Sequence, residues 1–200
     1  MPSLVKLFGL TGGIGMGKST AAELLRQRGI PIVDTDQLAR EVVEPGQPAL
    51  AEVRACFGAD VIAADGTLRR DELARRVFGD EAARKDLEAI LHPRIRERWL
   101  AITADWRAEG RAVGVVVIPL LFETCAENQF DAILCVACTA ATQHQRLLAR
   151  GWTPEQIEQR SRAQATIEKK MALSHFVVWT EGAVEVTAAQ LGRILVFKQV

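Results

Sequence analysis

Gly12-Gly13-Ile14-Gly15-Met16-Gly17-Lys18-Ser19 decides the reading of this chain. The run fits the pattern G-x-x-x-x-G-K-[ST]. Ahead of it, Val5-Lys6-Leu7-Phe8-Gly9-Leu10 is mostly apolar and predicts a buried strand. Behind it, Ala21, Ala22, Leu24 and Leu25 recur at helical spacing. Strand, glycine loop and helix is the context that gives the pattern meaning as a phosphate-binding loop. Glycines let the backbone wrap a phosphate and aim its N–H groups inward. The helix N-terminus adds partial positive charge. Lys18 then bridges the outer phosphates and the Ser19 hydroxyl binds Mg²⁺. A glycine-rich turn with a chance Lys-Ser is the plainer alternative, but pattern and context agree. The dinucleotide fingerprint G-x-G-x-x-G does not fit, because its third glycine falls on Lys18. A nucleoside triphosphate is favoured over a nicotinamide cofactor.

Outward from this loop, strands are expected at Val5–Leu10, Ile30–Val33, Ala112–Ile118, Ala132–Val136 and Phe176–Trp179. Helical stretches separate them. The expected fold is α/β, a three-layer sandwich around about five parallel strands with right-handed crossovers. The interval 37–110 contains no good strand and reads as a helical insertion lobe, with helices at Pro48–Phe57, Arg70–Phe78 and Glu81–Arg107. Residues 1–36 and 111–200 form the nucleotide-binding core. The basic segment 142–170 reads as a small lid within it. Gly151-Trp152-Thr153-Pro154 starts a new helix there, with Thr153 as N-cap and Pro154 at the first position.

Two hundred residues suit one domain with an insertion. The 25 basic and 25 acidic residues balance, which argues against nucleic-acid binding driven by bulk positive charge. No run of eighteen apolar residues exists to span a membrane, and the chain enters its first strand without a signal peptide. Four cysteines in a chain of this type suggest reduced thiols in the cytoplasm. Cys135 and Cys138 have C-x-x-C spacing but lie in or beside an apolar run, with no second Cys/His pair at zinc spacing, so burial is the better reading. Cys56 and Cys125 read as small apolar residues.

Asp34-Thr35-Asp36 follows the second strand, where the carboxyl ends of an open α/β sheet line a ligand crevice. One carboxylate there could take a proton from an attacking hydroxyl, and either could hold Mg²⁺ through water. Capping of a helix that begins near Gln37 is the alternative. Pro119-Leu120-Leu121-Phe122-Glu123 ends a buried strand and suits an apolar wall, with Glu123 near the crevice. Pro93 disfavours helix at His92, so His92 is read as the cap of a following helix or as a ligand contact. Arg146 and Arg150 lie four apart on a predicted helix and so share a face. Trp99 and Trp106, seven apart, read as core.

Together these residues resemble the dephospho-CoA kinase family. Five segments carry the resemblance in order: Gly9–Gly15 running into Gly17-Lys18-Ser19-Thr20; Val33-Asp34-Thr35-Asp36 with Ala39-Arg40; Asp65-Gly66-Thr67-Leu68-Arg69-Arg70; Ile90-Leu91-His92-Pro93-Arg94-Ile95; and Pro119–Glu123 followed by Gln145-Arg146-Leu147. The resemblance implies transfer of phosphate from Mg²⁺-ATP to the 3′-hydroxyl of dephospho-CoA, giving coenzyme A and ADP. It implies a soluble cytoplasmic enzyme, a monomer or weak homo-oligomer. By the same resemblance Asp36 is the catalytic base, working with Lys18 and Arg146. Gly12, Gly13, Ile14, Gly15, Met16, Gly17, Lys18, Ser19, Thr20 and the lid residue Arg150 bind ATP. Thr11, Asp36, Arg70, His92 and Glu123 fall at acceptor-binding positions. Three features depart from the family pattern. Met16 stands where a small residue is usual. His175 replaces an Asp common before the last strand. Trp179-Thr180-Glu181-Gly182, near the expected adenine site, lacks the usual Asn two residues before Gly.

Two rival readings fit the chain less well. A kinase of the same architecture acting on a mononucleotide would not need an insertion of this length. A nucleotide-dependent switch would want D-x-x-G and [NT]-K-x-D, and neither occurs in the chain.

Overall fold

The computed structural model describes residues 5–196. Five strands form one parallel sheet: β1 (Lys6–Gly12), β2 (Ile32–Asp34), β3 (Val113–Val117), β4 (Ala132–Ala137) and β5 (Phe176–Trp179). Their order is β2-β3-β1-β4-β5. β1 is central, pairing Phe8 with Val115 on one side and with Ala132 on the other. Chain order reverses beside β1, and such a switch point opens a crevice at the strands' carboxyl ends. The expected strands are all present, with ends displaced by up to two residues.

These strands read as almost unbroken apolar runs because helices cover both sheet faces. Phe8 and Leu10 point to one face, where they join Val115, Val117, Leu134 and Val136. Ala21, Ala22 and Leu25 of α1 (Lys18–Arg26) and Leu191 and Leu195 of α9 (Val184–Val196) close that layer. Residues 9 and 11 alternate to the opposite face. There a Cβ on Gly9 would come within 2.6 Å of the Leu121 side chain. Gly114 of β3 leaves room for the buried Trp106 ring, which a Cβ would meet at 2.4 Å. Trp106 ends the long helix α5 (Glu81–Ala108), and α8 (Ile167–Leu173) packs on β1 and β4.

The chain divides into two compact units, Met1–Asp34 with Thr103–Val200, and Thr35–Ile102. The second contains α2 (Thr35–Glu41), α3 (Pro48–Phe57), α4 (Arg70–Val77) and most of α5. Val42, Val43, Ala49 and Leu50 form one core cluster, and Val53, Phe57, Val61 and Leu73 another. Ile62, Leu68, Ile90 and Leu91 pack against both. Asp65-Gly66-Thr67 makes a tight turn between Ile62 and Leu68, which pair as an antiparallel bridge. Asp65 Oδ1 accepts from the Thr67 N–H at 3.0 Å and its hydroxyl at 2.7 Å, and Gly66 takes the positive φ of +83°.

The helix break expected at His92 does not occur. α5 runs straight through Pro93, which removes one backbone donor. Packing outweighs that loss: Ile90, Leu91 and Ile95 on either side are seated in the apolar clusters. Arg94 also donates to the Ile90 carbonyl at 2.5 Å and pairs with Glu52. His92 is a half-buried residue in mid-helix and caps nothing.

Candidate active site

The phosphate loop leaves β1 at Gly12 and enters α1 at Lys18. Gly12, Gly15 and Gly17 have φ of +147°, +73° and +92°. At Gly12 a Cβ would lie 2.4 Å from the Val136 carbonyl oxygen, so strand pairing itself demands glycine there. Lys18 Nζ donates to the carbonyls of Gly12 at 2.8 Å and Gly13 at 2.9 Å, which fold the ammonium back over its own loop. Ser19 and Thr20 are exposed in the first turn of α1. Met16 is not a surface position: its side chain is buried, with its sulfur 2.8 Å from where a Gly13 Cβ would lie.

One face of α6 (Ala140–Leu148) is seated on this loop. Gln143 Nε2 donates to the Ile14 carbonyl at 2.7 Å. Leu147, fully buried, packs so closely on Gly15 that a Cβ there would lie 2.8 Å from Leu147 Cγ. Arg146, between them on the same face, donates from Nη1 to Thr180 Oγ1 at 3.1 Å and from Nη2 to the Thr180 carbonyl. Arg150 lies past the last residue of α6. α6 ends at Leu148, and Gly151, with φ +82°, closes the turn. The Gly151 N–H bonds to the Leu148 carbonyl at 2.9 Å and the Trp152 N–H to that of Leu147 at 3.2 Å, a Schellman arrangement that leaves Arg150 exposed beyond the helix. The next helix, α7 (Pro154–Arg162), starts on a capping box between Thr153 and Gln156, and Arg160 lies 4.7 Å over the Trp152 ring.

A second network lies at the carboxyl end of β3. Thr11, with no exposed surface, donates its hydroxyl to the Pro119 carbonyl at 3.2 Å. The same carbonyl accepts from Lys170 Nζ at 2.6 Å. Lys170 is fully buried on α8 and pairs with Glu123 Oε1 at 2.9 Å. Glu123 also accepts from the Ala165 N–H at 2.8 Å. Burial works to raise the Glu123 pKa, but the Ala165 N–H and the Lys170 ammonium outweigh it and hold the carboxylate below its ordinary value.

The remaining sequence candidates belong to the helical unit. α2 begins at Thr35 rather than near Gln37, directly after Asp34, a residue type favoured before a helix. Asp36 is therefore an exposed residue of the first turn. Arg70 opens α4, exposed, with Nη2 3.4 Å from the Arg40 carbonyl.

The profile of the dephospho-CoA kinase family matches residues 6–185. A dephospho-CoA kinase of Anaeromyxobacter dehalogenans is 44% identical over 192 residues, covering 96% of this chain and 91% of that one. The chain belongs to the dephospho-CoA kinase family. A crystal structure from Thermus thermophilus superposes with a TM-score of 0.86 at 31% identity, covering 98% of each chain. The dephospho-CoA kinase of Campylobacter jejuni shares the fold, with a TM-score of 0.67 at 22% identity and 97% of each chain covered.

Within this family member, several polar residues at the site carry no sequence signal of their own. Lys170 sits in a basic run, Lys169-Lys170, where nothing marks one lysine as buried. Gln143 is an ordinary polar residue until the fold places it on the phosphate loop. His175, by contrast, marks its own departure: its Nδ1 accepts from the Ile133 N–H at 3.1 Å and so supports the entry to β4. Cys135 and Cys138 are both buried, and burial pushes the Cys135 thiol up to about 11. Cys56 and Cys125, read as small apolar residues, are exposed.

Glu181 supplies a pH-dependent tie beside the phosphate loop. Its carboxylate accepts from the Thr139 hydroxyl, from the Thr139 N–H at 2.9 Å and from the Trp179 indole at 3.0 Å. The Thr139 and Thr142 hydroxyls and the Thr139 N–H hold its pKa down at about 2, from an ordinary 4.5. A depressed carboxylate stabilises the fold above its unfolded pKa, and that contribution disappears as pH falls from about 4.5 through about 2. The melting temperatures of wild type and Glu181→Gln should therefore differ most above pH 5 and converge as pH falls toward 2. A gap of constant size across that range would show that the threonines do not distinguish the ionised carboxylate.

Proposed function

We propose that this chain transfers the γ-phosphoryl group of ATP to the 3′-hydroxyl of dephospho-CoA, giving coenzyme A and ADP. The observation that carries the reading is the phosphate loop with α6 seated on it. It puts the Lys18 ammonium over the loop and the Arg146 guanidinium two hydrogen bonds from the loop carbonyl of Met16. Membership of the dephospho-CoA kinase family supports the choice of acceptor.

The chemistry is in-line displacement, in which the protein positions groups and neutralises charge. Lys18 and the loop N–H groups of residues 12–20 take the β- and γ-phosphates. Arg146 stabilises charge on the transferring phosphoryl, and Asp36 accepts the proton of the attacking hydroxyl. The oxygen donors present fit a hard divalent cation: Ser19 offers a hydroxyl in the first turn of α1, and Asp34 ends β2 in the same unit. Mg²⁺ when bound neutralises the outer phosphate oxygens. The segment 142–170 acts as the lid that excludes water. In it α6 is the seated part, and α7 with Arg150 is the part that closes over ATP. Thr11 and Glu123 hold the Pro119–Glu123 wall of the acceptor pocket, and Arg70 and His92 contact the acceptor. Among the described residues no helix is long and apolar enough to cross a membrane, and the enzyme works in the cytoplasm as a monomer or weak homo-oligomer.

A coupled ADP-release assay tests the acceptor. Dephospho-CoA should exceed adenosine and AMP in kcat/KM by about a hundredfold or more, because the rest of the acceptor contributes binding energy the mononucleotides lack. Equal use of AMP would reassign the substrate. Arg70→Ala should raise KM for dephospho-CoA about tenfold, the loss of one exposed charge-assisted hydrogen bond, with KM for ATP nearly unchanged. A rise confined to ATP would place Arg70 on the other substrate.

A further inference from the structure

Thr180 joins three elements with one side chain. It lies just beyond β5, only 6% exposed. Its Oγ1 is 3.0 Å from the Met16 carbonyl oxygen and 3.3 Å from that of Ala137, and both can accept its single proton. A hydroxyl that donates once keeps its lone pairs, and Arg146 Nη1 donates to them at 3.1 Å. The Thr180 carbonyl takes Nη2 of the same guanidinium. The Thr180 N–H in turn bonds to Ala137 at 2.8 Å, which anchors the residue to β4. Packing is equally close: a Cβ on Gly17 would lie 3.2 Å from the Thr180 side chain.

We infer that Thr180 is a positioning residue for phosphoryl transfer, fixing the Arg146 guanidinium and the Met16–Gly17 peptide of the phosphate loop in one geometry. The inference rests on the proposed role of Arg146. Two bonds to one residue set both the position and the plane of the guanidinium fork. The hydroxyl bond to Met16 sets more than a carbonyl. In a trans peptide the N–H points opposite to the C=O, so the direction of the Gly17 N–H is fixed at the same time. One loop donor and one arginine are thus aligned before any phosphate arrives, which removes reorganisation from the reaction step. Serine or threonine satisfies the geometry with a single rotatable proton; valine has the same shape and lacks it.

Thr180→Val should lower kcat about tenfold, the worth of one charge-assisted hydrogen bond, while KM for ATP moves less than about threefold. Thr180→Ser should restore kcat to within about threefold of wild type, since the hydroxyl returns. In an Arg146→Ala background, Thr180→Val should cost less than about twofold more, because the group it positions is gone. A full tenfold loss in that background, or an unimpaired Thr180→Val, overturns the assignment. If Thr180→Val fails to fold, Arg146→Lys decides. Lysine keeps the charge but cannot bridge Oγ1 and the carbonyl as a planar fork, so kcat should fall nearly as far as in Arg146→Ala. Near-normal turnover of Arg146→Lys overturns the assignment as well. The same series is measured with water as acceptor, by release of phosphate from Mg²⁺-ATP. If wild type does not phosphorylate dephospho-CoA, the proposed function falls, while the coupling of Thr180 to Arg146 is still read from hydrolysis.

Discussion

Lys18→Ala should lower turnover by about a thousandfold or more, because a charge on the transferring phosphoryl disappears. The loss belongs to the reaction step. Lys18 Nζ donates to backbone carbonyls of its own loop, those of Gly12 and Gly13. The core beneath it is built from Phe8, Leu10, Ala21, Ala22 and Leu25, none of which the substitution touches. The melting temperature should therefore stay within a few degrees of wild type, as expected for a change that creates no cavity. The loop carbonyls lose a partner, but loop glycines with positive φ are held by packing that does not involve Lys18: Val136 against Gly12, Leu147 against Gly15 and Thr180 against Gly17. Single-turnover kinetics with saturating Mg²⁺-ATP separates the two effects, since a binding defect is overcome there and a defect in transfer is not. Near-normal transfer by Lys18→Ala would mean that the run 12–19 is a structural turn and the phosphate site lies elsewhere.

The phosphate loop and the sheet were legible because both depend on short-range pattern. The spacing of Gly12, Gly17 and Lys18 encodes local backbone conformation, and the apolar runs of β1, β3 and β4 encode burial on both faces. The N-cap at Thr153 was legible for the same reason, since a cap and the proline after it are neighbours in sequence. What stayed hidden depends on tertiary packing. A helix that keeps going through Pro93 does so because Ile90, Leu91 and Ile95 pack against the buried cluster of Val42, Val43, Ala49 and Leu50, a fact no window around Pro93 contains. Arg150 was read as lying on the same helix as Arg146, yet α6 ends at Leu148 and Gly151 closes the turn that follows. The bonds that Thr180 and Lys170 make were invisible in a stronger sense. Their partners, Met16 and Pro119, lie 164 and 51 positions away, and a buried hydroxyl or ammonium has the same one-letter code as an exposed one. The site is thus readable where the backbone makes it and unreadable where side chains from distant segments finish it.

Asp36→Asn is the second large effect expected, and its outcome separates a chemical from a structural carboxylate. As the base that takes the proton of the attacking hydroxyl, Asp36 should contribute about a hundredfold to ten-thousandfold to kcat. Asn preserves shape and hydrogen bonding but cannot accept that proton at neutral pH, so kcat falls while KM for ATP moves little. The structural alternative has its own magnitude. Asp36 lies in the first turn of α2, where a negative charge interacts favourably with the helix dipole by about 0.3–1 kcal/mol. Losing that interaction lowers the melting temperature by no more than a few degrees and leaves the chemistry intact. Asp34→Asn provides the comparison, because Asp34 ends β2 immediately before the same helix and carries no assigned proton transfer. It should cost much less in kcat than Asp36→Asn. Equal, mild losses in both variants, tracking a lowered melting temperature, would return the pair to helix capping and remove Asp36 from the chemistry.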